Sequence, residues 1–325
     1  MTDITMIDAA RSRIAGHARR TPLLSSPFLD EIAGRRVLVK AECLQHTGSF
    51  KFRGAWSAIS ALDPHVRSKG VIAFSSGNHA QGVALAARMH AVPSVIVMPS
   101  DAPKLKVENT RAYGAEVVLY DRANESREAI GARLAAERRL TLIKPFDEPL
   151  VIAGQGTVGL EIAEQAGEAG VEQAEVLVPC GGGGLTSGIA LALEARAPKL
   201  KVHPCEPAGF DDTTRSLASG KIERNASMTG SLCDAIVTPS PGEITFPIMK
   251  RICGAGIVVT DDEALHAMAL AFSRLKIVIE PGGAVALAAA LFHASEIDGD
   301  TVIAVASGGN VDSELFRQAL ERFDG

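Results

Sequence analysis

Short apolar runs alternate along the chain with longer amphipathic stretches. Val, Ile and Leu fill the runs continuously instead of alternating with polar residues, which predicts buried strands at residues 36–41, 70–74, 93–98, 115–119, 175–179, 201–205, 256–259 and 301–306. The stretches between them predict helices at residues 49–59, 80–89, 104–113, 126–139 and 186–195. Continuous apolar strands are typical of parallel sheets that helices cover on both faces.

This alternation of strands and helices predicts an α/β fold class with a doubly wound parallel sheet. The chain shows no internal repeat, low-complexity tract or long linker. The segment KPFDEP at residues 144–149 interrupts the regular pattern and predicts a domain boundary. Ligands of such folds bind at the carboxyl ends of the strands, so the residues that follow each predicted strand are the candidates for function.

Length and charge exclude several classes of function. The 325 residues suit one large domain or two. Lys and Arg number 33 against 38 Asp and Glu, and the net charge of −5 leaves no general basic surface for nucleic acid or anionic membranes. Five scattered cysteines without a CxxC pair, and an N-terminal segment without an apolar signal region, predict a cytoplasmic protein. We therefore expect no nucleic-acid partner and no membrane.

Small-residue turns follow several of the predicted strands. They are SSGN at residues 75–78, GGGG at 181–184 and SGGN at 307–310, and EPGG at 280–283 is a further candidate. Small residues let backbone N–H groups approach an anion, and a helix N-terminus favours negative charge. The tetraglycine follows an apolar strand and precedes a helix, so it is the best candidate for a phosphate cradle. A flexible turn that needs glycine only for its conformation is the alternative.

A second glycine motif, GQGTVG at residues 154–159, matches the GxGxxG pattern of dinucleotide sites. Such a site needs a strand before the glycines and an acidic residue at the end of the next strand. Residues 149–153 form at most a short, poor strand, and Glu175 stands at the start of the next strand. The motif therefore favours glycines at the entry to a tightly packed helix over a nicotinamide site.

Lys51 has the most unusual surroundings of the lysines. Thr47 or Ser49 can cap the helix that follows, which places Lys51 in its first turn, at the positive end of the helix dipole. Phe50 and Phe52 flank it and predict an apolar setting. Both effects disfavour the ammonium form, lower the pKa and leave an amine that can attack a carbonyl. A solvated lysine with its stem along the helix is the alternative.

The combination of Lys51, the tetraglycine and the SGGN turn indicates similarity to a known enzyme family. The chain resembles the serine/threonine dehydratase and serine racemase family, fold type II enzymes that use pyridoxal 5′-phosphate. The matching segments, in the family's order, are LQHTGSFKFRGA, SSGNHAQGVA, VIAGQGTVGLEI, PCGGGGL, PGEITF and ASGGN.

The resemblance implies a tryptophan synthase β-like fold of two doubly wound parallel-sheet domains. The larger, cofactor-binding domain would comprise residues 1–48 and 148–325. The smaller domain would comprise residues 49–147 and carry the loop that receives the substrate carboxylate. A homodimer is also implied.

The resemblance assigns roles residue by residue. Lys51 is implied to form the Schiff base with the cofactor, Asn78 to bond its ring hydroxyl and Ser307 to face its pyridine nitrogen, while Glu280 supports the ring from behind. The phosphate-binding residues implied are Gly181, Gly182, Gly183, Gly184 and Leu185. The substrate-binding residues implied are Ser75, Ser76, Gly77 and His79. In racemases the serine matching Ser76 is also a catalytic acid/base on the face opposite the lysine.

A divalent cation is also implied by the resemblance, near the loop at residues 205–213. Glu206 and Asp212 match carboxylate ligands, and the carbonyl of Phe210 lies between them in the sequence. Such hard oxygen ligands suit Mg²⁺ or Ca²⁺. An acidic, solvated loop without a metal is the alternative.

The implied activity is a lyase reaction on a small-molecule β-hydroxy amino acid of the threonine or serine type. Lys51 would take the Cα proton, water would be lost, and the products would be a 2-oxo acid and ammonia. An amino-acid racemase that uses Lys51 and Ser76 remains an alternative, as does a specialised dehydratase of hydroxyectoine or 3-hydroxyaspartate catabolism. Phe146 and the PGEITF segment favour the dehydratases, whereas the pair Asp234-Ala235 departs from the family's common Asp-Gly.

Overall fold

The computed structural model describes residues 2–102, 104–121 and 123–323, with the backbone alone for residue 105. The first and last residues of the predicted larger domain lie outside the described residues. In the described part, ten strands form two sheets. The strands are β1 (Leu23–Ser25), β2 (Arg36–Ala41), β3 (Val71–Phe74), β4 (Ser94–Pro99), β5 (Glu116–Tyr120), β6 (Thr141–Leu142), β7 (Ala174–Pro179), β8 (Leu200–Pro207), β9 (Ile257–Val259) and β10 (Thr301–Ala306).

Helices surround the two sheets. They are α1 (Ile4–Ile14), α2 (Pro27–Ala33), α3 (Lys51–Ser60), α4 (Pro64–Arg67), α5 (Asn78–Met89), α6 (Lys104–Ala112), α7 (Arg127–Arg138), α8 (Pro149–Glu168), α9 (Gly184–Arg196), α10 (Asp212–Ser219), α11 (Thr245–Ile252), α12 (Asp261–Leu270), α13 (Pro281–Phe292) and α14 (Ser313–Phe323). Among the described residues, no helix combines the length and apolar character that crossing a bilayer requires.

Both sheets are built almost entirely from parallel strands. The six-stranded sheet has the order β1-β2-β10-β7-β8-β9, and only the pair β1–β2 is antiparallel. Strand β10 lies between β2 and β7, with Ile303 opposite Leu38 on one side and Val176 on the other. The four-stranded sheet has the order β5-β4-β3-β6, with parallel pairs throughout. The predicted α/β fold class with parallel sheets is confirmed.

Strand β7 shows why the strands carry continuous apolar runs. Leu177 packs on one side of the six-stranded sheet, in a core that also contains Ala286 of α13. Val176 and Val178 pack on the other side, against residues that include Ile189 of α9. All six residues of the strand are buried. Each face of the sheet meets a helix layer, so both alternate sets of positions are mostly apolar. The carboxylate of Glu175 in this strand is paired with His203.

The prediction of a short strand at residues 149–153 is wrong, because these residues begin helix α8. Pro149 occupies the first helical turn, and the Glu148 carboxylate caps the helix by accepting hydrogen bonds from the backbone N–H groups of Leu150 and Val151. Residues 151–160 of the helix are all buried, so this apolar run shows no helical period. Without a strand before them, the GxGxxG glycines have no dinucleotide-site context.

These glycines lie inside helix α8 rather than at its entry, and they allow close helix packing. A Cβ atom on Gly154 would lie 2.6 Å from the backbone carbonyl oxygen of Arg53 in α3. One on Gly156 would lie 3.0 Å from the carbonyl oxygen of Gly188 in α9. A Cβ atom at either position would force its neighbour to shift, so the glycines allow α3 and α9 to pack directly against α8.

A buried network of charges joins α3 to α8 and to the end of β2. The guanidinium of Arg53 donates to both carboxylate oxygens of Glu42, each at 2.8 Å. It also donates to both carboxylate oxygens of Glu161, at 2.7 and 2.9 Å. Lys40 Nζ donates to the same Glu161 at 2.5 Å. Arg53 and Lys40 are fully buried, and the sequence analysis did not anticipate this network.

The five cysteines are free thiols in the structure. Four of them are buried, and Cys253 is half-buried. Burial raises the pKa of Cys43 and of Cys253 to about 12, so these thiols stay protonated at neutral pH. The cytoplasmic location remains a prediction.

Candidate active site

A cavity of about 680 Å³ lies at the carboxyl ends of the parallel strands of both sheets. Its volume is in the range of small-molecule sites, about 300–1,000 Å³. Every residue for which the resemblance implies cofactor or substrate binding lines it. These residues are Lys51, Ser75, Ser76, Gly77, Asn78, His79, Gly181, Gly182, Gly183, Gly184, Leu185, Glu280 and Ser307. The three implied metal ligands do not.

Strand order explains how residues so far apart in the sequence meet. Strands β2, β10 and β7 are neighbours, so the segments that leave their carboxyl ends lie side by side. Backbone hydrogen bonds hold the segment before α3 against the turn after β10. The N–H group of Phe50 donates to the carbonyl oxygen of Ser307 at 3.1 Å, and Ser49 forms an isolated bridge with Gly308. Lys51 is therefore fixed beside Ser307.

Lys51 is the first residue of helix α3, and its amine lies inside the cavity. Nζ donates a hydrogen bond to the carbonyl oxygen of Pro145 at 2.9 Å. Burial disfavours the ammonium and lowers the pKa of Lys51 to about 8, although the nearby carboxylate of Glu280 acts in the opposite direction. A lysine with this pKa is neutral in a substantial fraction of molecules near pH 8. The amine can then accept a proton or attack a carbonyl.

The predicted cap of α3 is wrong. The N-cap position belongs to Phe50, which has no side-chain capping bond. The hydroxyls of Ser49 and Thr47 are buried and have no hydrogen-bond partner among the described residues. Ser49 is held in extended backbone, with φ −162° and ψ 158°, by its bridge to Gly308. The contact between the two chain segments decides its orientation, and no local pattern could reveal that.

The tetraglycine connects β7 to α9, as predicted. Helix α9 begins at Gly184, and its N-cap residue Gly183 has φ 86°. Within the described part of the chain, none of the backbone N–H groups from Gly181 to Thr186 donates to a protein oxygen, and the first intrahelical bond comes from Ser187. These N–H groups line a cavity at a helix N-terminus. An arrangement of this kind binds an anion such as phosphate.

The loop is held in place rather than flexible. The carbonyl oxygen of Gly182 accepts hydrogen bonds from the Thr245 hydroxyl at 2.6 Å and from the N–H group of Gly242 at 3.2 Å. A Cβ atom on Gly182 would lie 2.3 Å from the ring of Phe146, and one on Gly184 would lie 3.0 Å from that residue's Cα. The fixed loop and its free N–H groups therefore fit the phosphate of the implied cofactor.

The turn after β3 presents two serine hydroxyls, those of Ser75 and Ser76, to the cavity and carries no negative charge. Gly77 is the N-cap of α5, and its N–H group donates to the Ser75 hydroxyl at 3.2 Å. His79 Nε2 lies 2.9 Å from the carbonyl oxygen of Ile143. Since a carbonyl only accepts, Nε2 carries a proton. Burial lowers the pKa of His79 to about 3, so its ring is neutral at physiological pH. Such a turn suits a substrate carboxylate.

Asn78 and Glu280 form a polar pair in the cavity wall. Asn78 Nδ2 donates to Glu280 Oε1 at 2.6 Å. The N–H group of Glu280 in turn donates to the carbonyl oxygen of Gly308 at 3.0 Å. Burial raises the pKa of Glu280 to about 7. The turns after β3, before α13 and after β10 are thereby joined.

The outer wall contains charged residues that the sequence analysis missed or left without a role. Lys106 and Arg127 line the cavity together with Asp234, and Lys106 Nζ lies 3.5 Å from Asp234 Oδ2. Lys106 belongs to α6, which follows β4. The strand pattern could therefore have predicted that Lys106 lies near the carboxyl edge of the sheet. A lysine in a polar helix is ordinarily a surface residue, however, and nothing else in the sequence distinguishes it.

The implied metal ligands lie outside the cavity, at the end of β8 and the start of α10. Glu206 accepts hydrogen bonds from the N–H groups of Thr213 at 2.9 Å and Thr214 at 2.7 Å. Burial and the charge of Asp212 raise the pKa of Glu206 to about 8, and burial raises that of Asp212 to about 6. Among the described residues, no group of three or more His, Cys, Asp or Glu side chains could hold a metal ion.

Comparisons with known proteins agree with this site. Residues 14–308 match the family model of the pyridoxal-phosphate dependent enzymes. An L-threo-3-hydroxyaspartate ammonia-lyase from Pseudomonas sp is 43% identical over 96% of this chain and 96% of its own. A serine racemase from Oryza sativa subsp. indica is 40% identical, over 98% of this chain and 94% of its own. A crystal structure of a threonine deaminase from T.th. superposes with a TM-score of 0.90 at 47% identity, covering 95% of this chain and 99% of that one. The resemblance drawn from the motifs is confirmed.

Proposed function

The chain belongs to the family of pyridoxal-phosphate dependent enzymes, and from that premise we propose that it removes water from a β-hydroxy amino acid to give a 2-oxo acid and ammonia. The observation that carries the proposal is the single cavity that joins a lysine of lowered pKa, a fixed glycine loop with free N–H groups and a neutral turn for a carboxylate. Relatives named as ammonia-lyases support the lyase class.

We propose that the glycine loop from Gly181 to Leu185 holds the cofactor's phosphate and that Lys51 holds its aldehyde carbon. Asn78 would bond the cofactor's ring hydroxyl, Ser307 would face its pyridine nitrogen, and Glu280 would support the ring. When bound, pyridoxal phosphate supplies an acceptor for the electron pair left at Cα. Ser307 carries no charge, so it does not hold the pyridine nitrogen protonated as a carboxylate would. That favours prompt loss of the β-hydroxyl over transamination.

Lys51 performs the proton transfer in this proposal. Its Nζ is neutral in part of the molecules near pH 8, so it can accept the proton from the substrate's Cα. The Ser75–His79 turn orients the substrate through its carboxylate. The β-hydroxyl leaves as water, and hydrolysis of the resulting enamine consumes one water and releases ammonia and the 2-oxo acid.

The outer wall bears on the substrate's side chain. Lys106 and Arg127 place two positive charges around the cavity, against the single carboxylate of Asp234 that pairs with Lys106. A substrate with a second carboxylate, such as 3-hydroxyaspartate, complements such a wall better than an apolar one does. We therefore place 3-hydroxyaspartate beside serine and threonine among the proposed substrates. A dehydratase of hydroxyectoine catabolism stays an alternative.

The experiment for this proposal measures 2-oxo acid release from the purified holoenzyme. The panel contains the L and D forms of serine, threonine, phenylserine and threo-3-hydroxyaspartate, and chiral chromatography follows the remaining amino acid. We expect oxo-acid release from an L-substrate to exceed interconversion of enantiomers, because elimination needs one base at Cα and Lys51 supplies it. Faster interconversion than release would make the racemase activity primary.

Ser76→Ala provides the matched control for that ranking. Racemisation needs a proton donor on the face opposite Lys51, which we propose to be Ser76, whereas elimination from an L-substrate does not. The variant should lose D/L interconversion and keep more of the elimination. Equal loss of both activities would contradict the proposed role of Ser76.

We propose a Mg²⁺ or Ca²⁺ site at Glu206, the carbonyl of Phe210 and Asp212. Its support is the pair of buried carboxylates and Asp212 Oδ2, which is buried without a hydrogen-bond partner among the described residues. After EDTA treatment, adding the cation at one hundred times its Kd should raise the free energy of unfolding by about 2.7 kcal/mol. Asp212→Asn should remove the effect, and Asp211→Asn, one residue away, should retain it. Equal stability with and without the cation would exclude the site.

The predicted domain boundaries, the homodimer and the cytoplasmic location stay predictions. The four-stranded sheet falls within residues 71–142, inside the smaller domain proposed at residues 49–147. Several large apolar side chains are exposed at α2 and after α12, among them Phe28 and Phe272. They suit a second copy of the chain, and light scattering of the purified protein measures whether one is bound.

A further inference from the structure

A chain of side-chain amides leads from behind the cavity into its wall. Asn310, in the turn after β10, donates from Nδ2 to Asn78 Oδ1 at 2.7 Å and to the carbonyl oxygen of Thr47 at 2.8 Å. Asn78 in turn donates from Nδ2 to Glu280 Oε1 at 2.6 Å. Asn78 and Glu280 are part of the cavity lining, whereas Asn310 lies behind them.

Counting donors fixes the orientation of both amides. A side-chain amide has two N–H donors on its nitrogen and an acceptor oxygen. The carbonyl of Thr47 can only accept, so the Asn310 nitrogen must face it. The second N–H of Asn310 then meets Asn78, which must present its oxygen there. The nitrogen of Asn78 is thereby turned towards Glu280, which takes one N–H, and the other has no acceptor among the described residues.

We propose that Asn310 is a positioning residue that fixes the Asn78 amide so that its free N–H is available to the ring hydroxyl of the cofactor. This inference rests on the proposed function, because it assumes that pyridoxal phosphate binds in the cavity. Asn310 itself touches neither cofactor nor substrate in this arrangement. It acts only through Asn78.

The backbone of the neighbouring segment packs closely against the Asn310 side chain. Gly48 has φ 72°, and a Cβ atom on it would lie 2.8 Å from Asn310 Oδ1. The N–H group of Gly309 donates to the carbonyl oxygen of Gly48 at 2.9 Å, which ties the two segments together. Thr47 also has positive φ, 60°, so its carbonyl is presented by an unusual turn. The glycine of TGSFK therefore accommodates the amide that aims Asn78.

Asn310→Asp tests this arrangement because it preserves shape and removes both donors. The aspartate would face two acceptors, the Thr47 carbonyl and Asn78 Oδ1. Asn78 would then turn its nitrogen to the new carboxylate and its oxygen towards Glu280. We expect the Kd of pyridoxal phosphate to rise about tenfold, in line with loss of one well-formed hydrogen bond. The visible absorbance maximum of the bound cofactor should also shift, because its ring hydroxyl loses a donor.

A double-mutant cycle with Asn78→Ala separates positioning from general damage. If Asn310 acts through Asn78, Asn310→Asp should change the Kd by less than about twofold when Asn78 is already alanine. An equal loss in both backgrounds, or no loss in the wild-type background, would overturn the proposal. Asn124→Asp in an exposed loop is the matched control and should leave the Kd unchanged. Should Asn310→Asp fail to fold, Asn310→Ala enters the same cycle.

Measurements on the wild-type protein distinguish failure of the proposed function from failure of the proposed role of Asn310. Cofactor binding with borohydride trapping at Lys51 supports the proposed function whatever Asn310 does, and the cycle then decides the role of Asn310 alone. A wild-type protein that does not bind pyridoxal phosphate would overturn both.

Discussion

Replacing Lys51 by alanine is expected to abolish 2-oxo acid formation while the protein stays folded. Lys51 lines the cavity, and its lowered pKa, about 8, suits proton transfer near neutral pH. A positioned acid/base contributes about 10²–10⁴-fold to rate, and loss of the covalent bond to the cofactor adds to this. Turnover should therefore fall by at least about a thousand-fold. Oxo-acid release and urea unfolding of the same preparation provide the measurement.

Two further lysine variants make the result specific. Lys144→Ala changes an exposed lysine close to Pro145, whose carbonyl accepts the Lys51 hydrogen bond, and it should keep wild-type turnover. Lys51→Arg retains a positive charge but offers no neutral amine at physiological pH, and it should be as inactive as Lys51→Ala. Substantial oxo-acid production by either Lys51 variant would show that another group takes the Cα proton.

Replacing Arg53 by leucine is expected to lower the free energy of unfolding by about 3–5 kcal/mol. The guanidinium is completely buried and donates five hydrogen bonds to side chains, four of them to the carboxylates of Glu42 and Glu161. Without Arg53, the buried carboxylate of Glu42 loses its guanidinium partner. Glu161 retains its ion pair with Lys40. Urea denaturation of the cofactor-free protein measures the change.

The pH dependence of this loss has a defined sign. Burial alone would raise the pKa of Glu42, but the charge and hydrogen bonds of Arg53 hold it below its ordinary value. In the wild type, Glu42 therefore contributes stability above its unfolded-state pKa that is lost as pH falls. In Arg53→Leu that contribution is absent, and a protonated Glu42 is tolerated better than a charged one. The deficit of the variant should shrink as pH decreases.

A surface pair provides the control for Arg53. Arg20 pairs with Glu168 at 2.6 Å, and both side chains are about half exposed, at 48% and 62%. Arg20→Leu should cost less than about 1 kcal/mol, because exposed pairs are screened by water. Adding Glu42→Gln to Arg53→Leu should recover part of the lost stability, because it removes the buried carboxylate that has lost its guanidinium while Lys40 keeps its pair with Glu161. If Arg53→Leu cost no more than Arg20→Leu, the buried network would not stabilise the fold.

The local pattern of apolar residues was enough to predict most of the strands. The predicted strand at residues 36–41 coincides with β2, and the one at 301–306 coincides with β10. The tetraglycine lies where predicted, between β7 and α9, because a strand, a run of glycine and a helix start are all local features. The pattern failed at residues 149–153, since the first half of α8 is buried on all sides and shows no polar face.

The amino-acid sequence by itself therefore determined the fold class, the enzyme family and the cofactor- and substrate-binding candidates, all of which line the cavity. Continuous apolar runs require burial on both faces of a strand, and the combined motifs occur together in one family. Tertiary structure alone decided how those residues are held. Three features show this: the bridge that holds Ser49 away from the cap of α3, the pairing of Arg53 with Glu42 and Glu161, and the contact of Asn310 with Asn78. Each of them joins separate segments of the chain. Such contacts depend on how the two sheets and their helices pack together, since Asn78 follows β3 of the four-stranded sheet and Asn310 follows β10 of the six-stranded sheet. They leave no trace in the pattern of any one segment.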